Sequence, residues 1–173
     1  MMMSEHSLPQ SIQYLLQVEQ LNGEHVLSLL EPADLDTQGA LFDLLQQESF
    51  WDRINPSLDH AVLDRLYIEY LLQCVIQGRE SDWCESRYLA CYGLNAIIRD
   101  RFQNNDLAGF TELQQALARL YRDFGEPVRD AVVNGCLEHL FDDPAIRAAF
   151  SDWQSDAVLH EAYLRGCQFS ATS

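Results

Sequence analysis

Cys136 and His139 are the residues of this chain that come nearest to a nucleophile and its base. They stand three apart in the sequence, and a thiolate–imidazole pair would support covalent acyl transfer. That chemistry also needs an orienting group and oxyanion donors. The surrounding run, AVVNGCLEHL, offers a mostly apolar helix face instead. A Cys–His pair assembled from distant segments stays open as an alternative. Metal chemistry finds less support. His160-Glu161 lacks the second His, four residues after the first, of the zinc-protease pattern. Asp156 and His160 are four apart, a spacing that on a helix suits a surface hydrogen bond better than a ligand pair. There is no CxxC, Cys84 and Cys91 are two helical turns apart, and no Glu-x-x-His pair of the di-iron type occurs. No Gly-rich phosphate loop is present. Neither enzymatic activity, nor a metal, nor a cofactor is expected.

A different pattern stands out. Glu126, Asp130, Asn134, Glu138 and Asp142 lie four apart, a polar ridge on one helix with four acids among its five members. Like charges at that spacing each cost about 0.2–0.5 kcal/mol in an isolated helix. Only Arg129 lies beside them, and Asp142 stands near the C-terminal end, where the helix dipole disfavours a negative charge. Two readings fit: a solvated face of an acidic protein, or a docking surface for a basic partner.

The run from Gly125 to Phe141 is similar to a stretch in small, acidic, all-helical bacterial immunity-like proteins encoded near polymorphic toxins. The matching residues are Gly125, Glu126, Val128, Arg129, Asp130, Ala131, Leu137 and Glu138, about a tenth of the chain counting the whole run. The resemblance implies an immunity-like role and leaves the toxin unnamed.

Composition narrows the field further. The chain carries 27 acids against 11 bases, every base an Arg, for a formal net charge of −16. Phosphate affinity is built from basic patches, so direct nucleic-acid binding is not expected. An anionic membrane surface is disfavoured on the same ground. A cationic protein partner is favoured, with electrostatic steering of its approach. The five cysteines, Cys74, Cys84, Cys91, Cys136 and Cys167, are odd in number and scattered through apolar stretches. That suits reduced thiols in the cytoplasm. No signal peptide or membrane span is read from the sequence.

The elements that must position these residues all read as helices. Length and 47% apolar content suit a single all-α domain over 1–173, with 1–6 and 169–173 frayed. Seven to nine helices with short connections are expected, possibly packed as pairs, and the oligomeric state is left open. Ser7 with Gln10 forms a capping box for a first helix burying Ile12, Leu15 and Leu16. His25 to Leu30 is a helical turn or a strand. Ala33 to Gln47 is a helix that Gly39 weakens, and Asn55-Pro56 is a helix start. Leu66 to Ile76 is a nearly surrounded helix. Asp82 with Glu85 caps the next, whose inward residues are Tyr88, Leu89, Cys91, Tyr92 and Ile98. Phe110 to Phe124 is clearly amphipathic. Gly125 fits a left-handed helix stop, and Pro127 a first turn. Ser155 or Asp156 opens the last helix. Leu71, Leu117 and Val132 are expected in the core.

Phe50, Trp51, Trp83 and Trp153 fall at helix ends, where large side chains are exposed and can anchor a partner. The favoured reading is a cytoplasmic immunity protein that binds a basic toxin domain through Glu126, Asp130, Glu138, Asp142, Trp51, Trp83 and Trp153. An acidic adaptor or chaperone for a secreted effector is the alternative.

Overall fold

A computed structural model describes residues 8–31 and 33–170, with no side-chain account of 169 and 170. The Ser7 half of the capping box and residues 1–6 lie outside this range. Among the described residues the regular structure is helical, apart from one isolated bridge between Leu21 and Ile54. The chain divides into two compact units. The first comprises 1–73 and 79–85, the second 74–78 and 86–173.

In the first unit, a 3-10 turn (Gln13–Leu16) precedes α1 (Gly23–Leu30), α2 (Leu35–Leu45) and α3 (Glu48–Trp51). Each start has a local cause. The Asn22 side chain accepts the His25 N–H at 3.1 Å, so the short apolar run becomes α1 rather than a strand. Asp34 accepts the Thr37 N–H at 3.0 Å and its hydroxyl at 3.1 Å. Leu16, expected inward, is 54% exposed, because the 3-10 turn buries only Leu15 beside Ile12. Asn55–Pro56 is a cis peptide, not a helix start. The next helix, α4 (His60–Gln77), opens on Asp59, whose carboxylate accepts the Ala61 and Val62 N–H groups. Leu66, Tyr70 and Leu71 on α4 are buried, as the sequence suggested.

Gly39 does not weaken α2. A Cβ there would meet the Trp83 carbonyl oxygen at 1.6 Å, so glycine lets the 79–85 loop lie directly on the helix. Tyr70 holds that loop: its hydroxyl donates to the Trp83 carbonyl at 2.9 Å and accepts the Glu85 N–H at 3.3 Å.

The second unit takes the last turn of α4 and everything after the loop. Ser86, rather than Asp82, caps α5 (Arg87–Gln103) by accepting the Leu89 N–H. Arg87 then turns back to donate to the carbonyls of Val75 and Ile76 at the end of α4. Asp106 caps α6 (Leu107–Asp123). Gly125 is extended (φ −75°, ψ 178°), the N-cap of α7 (Glu126–Val132), because α6 has already ended at Asp123. A π turn (Val133–Leu137) joins α7 to α8 (Glu138–Leu140) as one continuous helix. Counting it once gives nine α-helices among the described residues. Asp143 caps α9 (Pro144–Ala149), a 3-10 turn follows (Ser151–Ser155), and α10 (Leu159–Ser170) opens on Asp156.

The 126–140 helix packs against α5, α6 and α10. Val132, Leu137, Leu140 and Phe141 have no exposed surface, and Leu117 has 1%. Phe150 knits the far end, with ring centroids 5.8 Å from Phe110, 5.4 Å from Phe141 and 5.0 Å from Trp153. Trp153 is therefore only 4% exposed, not an available anchor. Its ring neighbour Phe150 is itself packed on Phe110 and Phe141 from two other segments, which the place of Trp153 near a helix end did not reveal. Phe50, at 2%, is a core residue as well.

Candidate functional site

All five positions of the acidic row stay outside the core, and a π turn, whose hydrogen bonds run i to i+5, interrupts the helix between its two ends. Glu126 and Asp130 lie before it, Glu138 and Asp142 after it.

The first pair is answered within the unit. Arg165 of α10 reaches Asp130 at 2.5 Å and Glu126 at 3.8 Å. The hydrogen bond that Arg165 donates to Asp130 holds its guanidinium above its ordinary pKa. Arg129, which sequence position set beside the ridge, turns away. It donates to the Tyr121 carbonyl at 2.8 Å and lies 5.4 Å from the centroid of that ring.

The second pair has no such answer. Neither Glu138 nor Asp142 makes an ion pair or hydrogen bond among the described residues. Asp142 forms one wall of a groove of about 250 Å³, whose other sides are Tyr92, Asn95, Ala96, Arg99 and His139. Inside it, Arg99 donates through Nε to Asn95 Oδ1 at 3.0 Å and through Nη2 to the His139 carbonyl. That carbonyl belongs to the last turn of the helix, where backbone acceptors lack partners, so Arg99 caps the helix end. The His139 ring stands edge-on to Tyr92, 5.7 Å away at 86°.

The groove continues onto an apolar face. Tyr88, Leu89 and Tyr92 on α5 are 51%, 60% and 59% exposed. The sequence placed all three inward, and the reason for the reversal is Gly135. A Cβ on Gly135 would meet the Cys91 Cβ at 2.8 Å, so α5 crosses the π turn almost in backbone contact. Such a crossing demands small side chains, and α5 offers Ala90 and Cys91 there, with Leu94 and Ile98 behind them. The large aromatics are left on the opposite side. The juxtaposition of Ala90-Cys91 with a glycine elsewhere was the available signal.

The two Trp candidates of the first unit are half-buried. Trp51 stacks on His60 with centroids 5.6 Å apart, and Trp83 is held through its backbone by Tyr70.

For the catalytic alternatives, Cys136 is fully buried, and burial beside Cys91 pushes its thiol well above the ordinary range. Burial likewise pushes Cys91 up to about 12. Neither environment favours a thiolate, and the His139 ring packs on Tyr92. Asp156 spends its carboxylate on the Val158 and Leu159 N–H groups and on Arg122, while His160 Nδ1 lies 2.8 Å from the Gln154 carbonyl. Among the described residues, no three His, Cys, Asp or Glu side chains gather to hold a metal ion. No described helix is long and apolar enough to cross a membrane.

No protein-family model matches the chain, and comparison with curated proteins and with solved structures gave no match.

Proposed function

We propose that this chain is a cytoplasmic bacterial immunity protein that binds a basic toxin domain and blocks it by contact, without chemistry of its own. One observation carries the reading. Asp142 keeps a carboxylate with no internal partner in the groove that the exposed Tyr92 also lines, and Tyr88 and Leu89 are exposed one turn before Tyr92 on α5. Protein interfaces combine charge that steers encounter with aromatic anchors that slow departure. A net charge of −16 supplies the long-range field toward a cationic partner. The resemblance of the 125–141 run to immunity-like proteins agrees with this pairing of charge and anchor.

The test is co-expression with the toxin domain encoded beside this gene. Expressed alone, that domain should arrest growth; with this chain, growth should recover and the two should co-purify as a folded complex. A toxin domain that still kills, with no complex formed, overturns the proposal. A dimer that captures only an unfolded segment of a secreted effector replaces it with the adaptor reading.

A further inference from the structure

We infer that the groove between α5 and residues 139–142 takes one cationic side chain, Arg or Lys, presented on a peptide segment of a protein partner. The inference deepens the immunity reading, on which it rests for the partner's identity.

The polar atoms of the groove define what would fit. Arg99 Nε can only donate, so the atom of Asn95 that meets it is the amide oxygen, which fixes the orientation of that amide. The Asn95 amide nitrogen then points the other way, and no partner for it exists among the described residues. Asn95 is only 4% exposed, yet among the described residues no fully buried side-chain nitrogen or oxygen lacks a partner. Its NH2 group must therefore open onto the groove, a nearly buried donor waiting for an acceptor.

On the same lining, Asp142 is an acceptor without a donor among the described residues. The one internal cation, Arg99, is committed to Asn95 and to the His139 carbonyl at the negative end of a helix. The exposed Tyr92 also lines the groove, and an aromatic ring is a surface on which guanidinium and ammonium groups settle. A simple anion would satisfy Asn95 and then confront Asp142 and the acidity of the whole chain. A basic residue within a peptide brings a backbone carbonyl for Asn95 and a cation for Asp142 together. Its neighbours in that peptide would lie on Tyr88 and Leu89.

The experiment uses small probes and the full chain. N-acetyl-arginine amide, its neutral citrulline analogue and N-acetyl-aspartate amide are titrated separately while NMR follows the Asn95 side-chain amide and the Tyr92 and His139 rings. The arginine probe should give saturable shifts at all three. The citrulline probe, and the arginine probe on Asp142→Asn, should bind roughly two- to fivefold more weakly, the span of an exposed ion pair. Equal binding of arginine and citrulline, tighter binding of aspartate, an unaffected Asp142→Asn variant, or no saturable shift each overturns the inference. The two proposals fail separately. A neutralised toxin domain whose dissociation is unchanged by Tyr92→Ala sinks the groove and leaves the immunity reading. Probe binding with no neutralised toxin does the reverse.

Discussion

Arg165 on α10 and Asp130 on α7, 35 residues apart in the sequence, meet at 2.5 Å and make Asp130 a structural acid. Asp142 lies on the same continuous sequence row and meets nothing comparable. Asp130→Asn should therefore lower stability by about 0.5–1 kcal/mol, the upper range for a partly screened pair. Asp142→Asn should be neutral or slightly stabilising, since it removes a charge opposed by the helix dipole. Urea unfolding of the two variants checks the difference, and equal losses would deny the split between the pairs.

Trp153→Ala should behave as a core truncation, costing about 3–5 kcal/mol, with Leu71→Ala and Leu117→Ala costing about 2–5 kcal/mol each. Thermal unfolding decides. A Trp153 variant with an unchanged midpoint would return that side chain to the surface.

Gly135→Ala should cost about 1–3 kcal/mol by overpacking, because its methyl would intrude on Cys91. Pairing it with Cys91→Gly should recover part of the loss. A double variant no better than the single one would mean that the crossing is not limited by these two residues.

Two carboxylates make stability depend on acid. Backbone N–H bonds, from Thr37 to Asp34 and from Leu159 and Val158 to Asp156, hold both below the ordinary value of 3.8. A depressed folded pKa means the stabilisation is complete above the unfolded value and is lost as pH falls through the folded one. Denaturation midpoints should hold steady from neutral pH down to about pH 5 and fall as pH drops below about 4. Asp34→Asn should flatten that fall; an unchanged acid limb would show that its cap contributes no proton linkage.

How much of this was legible in the sequence depended on whether the cause was local. Helix type, the core positions Leu71, Leu117 and Val132, and the caps Asp143 and Asp156 follow from patterns within a few residues. The π turn did not, because nothing in VNGCL announces an extra residue; it answers the crossing of α5 at Gly135. The same crossing turned Tyr88, Leu89 and Tyr92 outward. The groove is built jointly by α5 and the end of the 126–140 helix, so the periodicity of either helix alone had no route to it. Arg165 was missed for a simpler reason: it sits 35 residues from Asp130.

The interleaving of the two units has a consequence for synthesis. The first unit lacks residues 79–85 until they follow 74–78 out of the ribosome, and α2 needs that segment to cover Gly39. Its packing cannot finish at residue 73, where a naive boundary would fall. Residues 74–78, made earlier, must wait for Arg87 to complete the end of α4. Chains growing from the N-terminus fold in units as each becomes complete. Here the first complete unit becomes available only when the second has already begun, so a protease cut or a truncation anywhere in 74–85 deprives the first unit of part of its own packing.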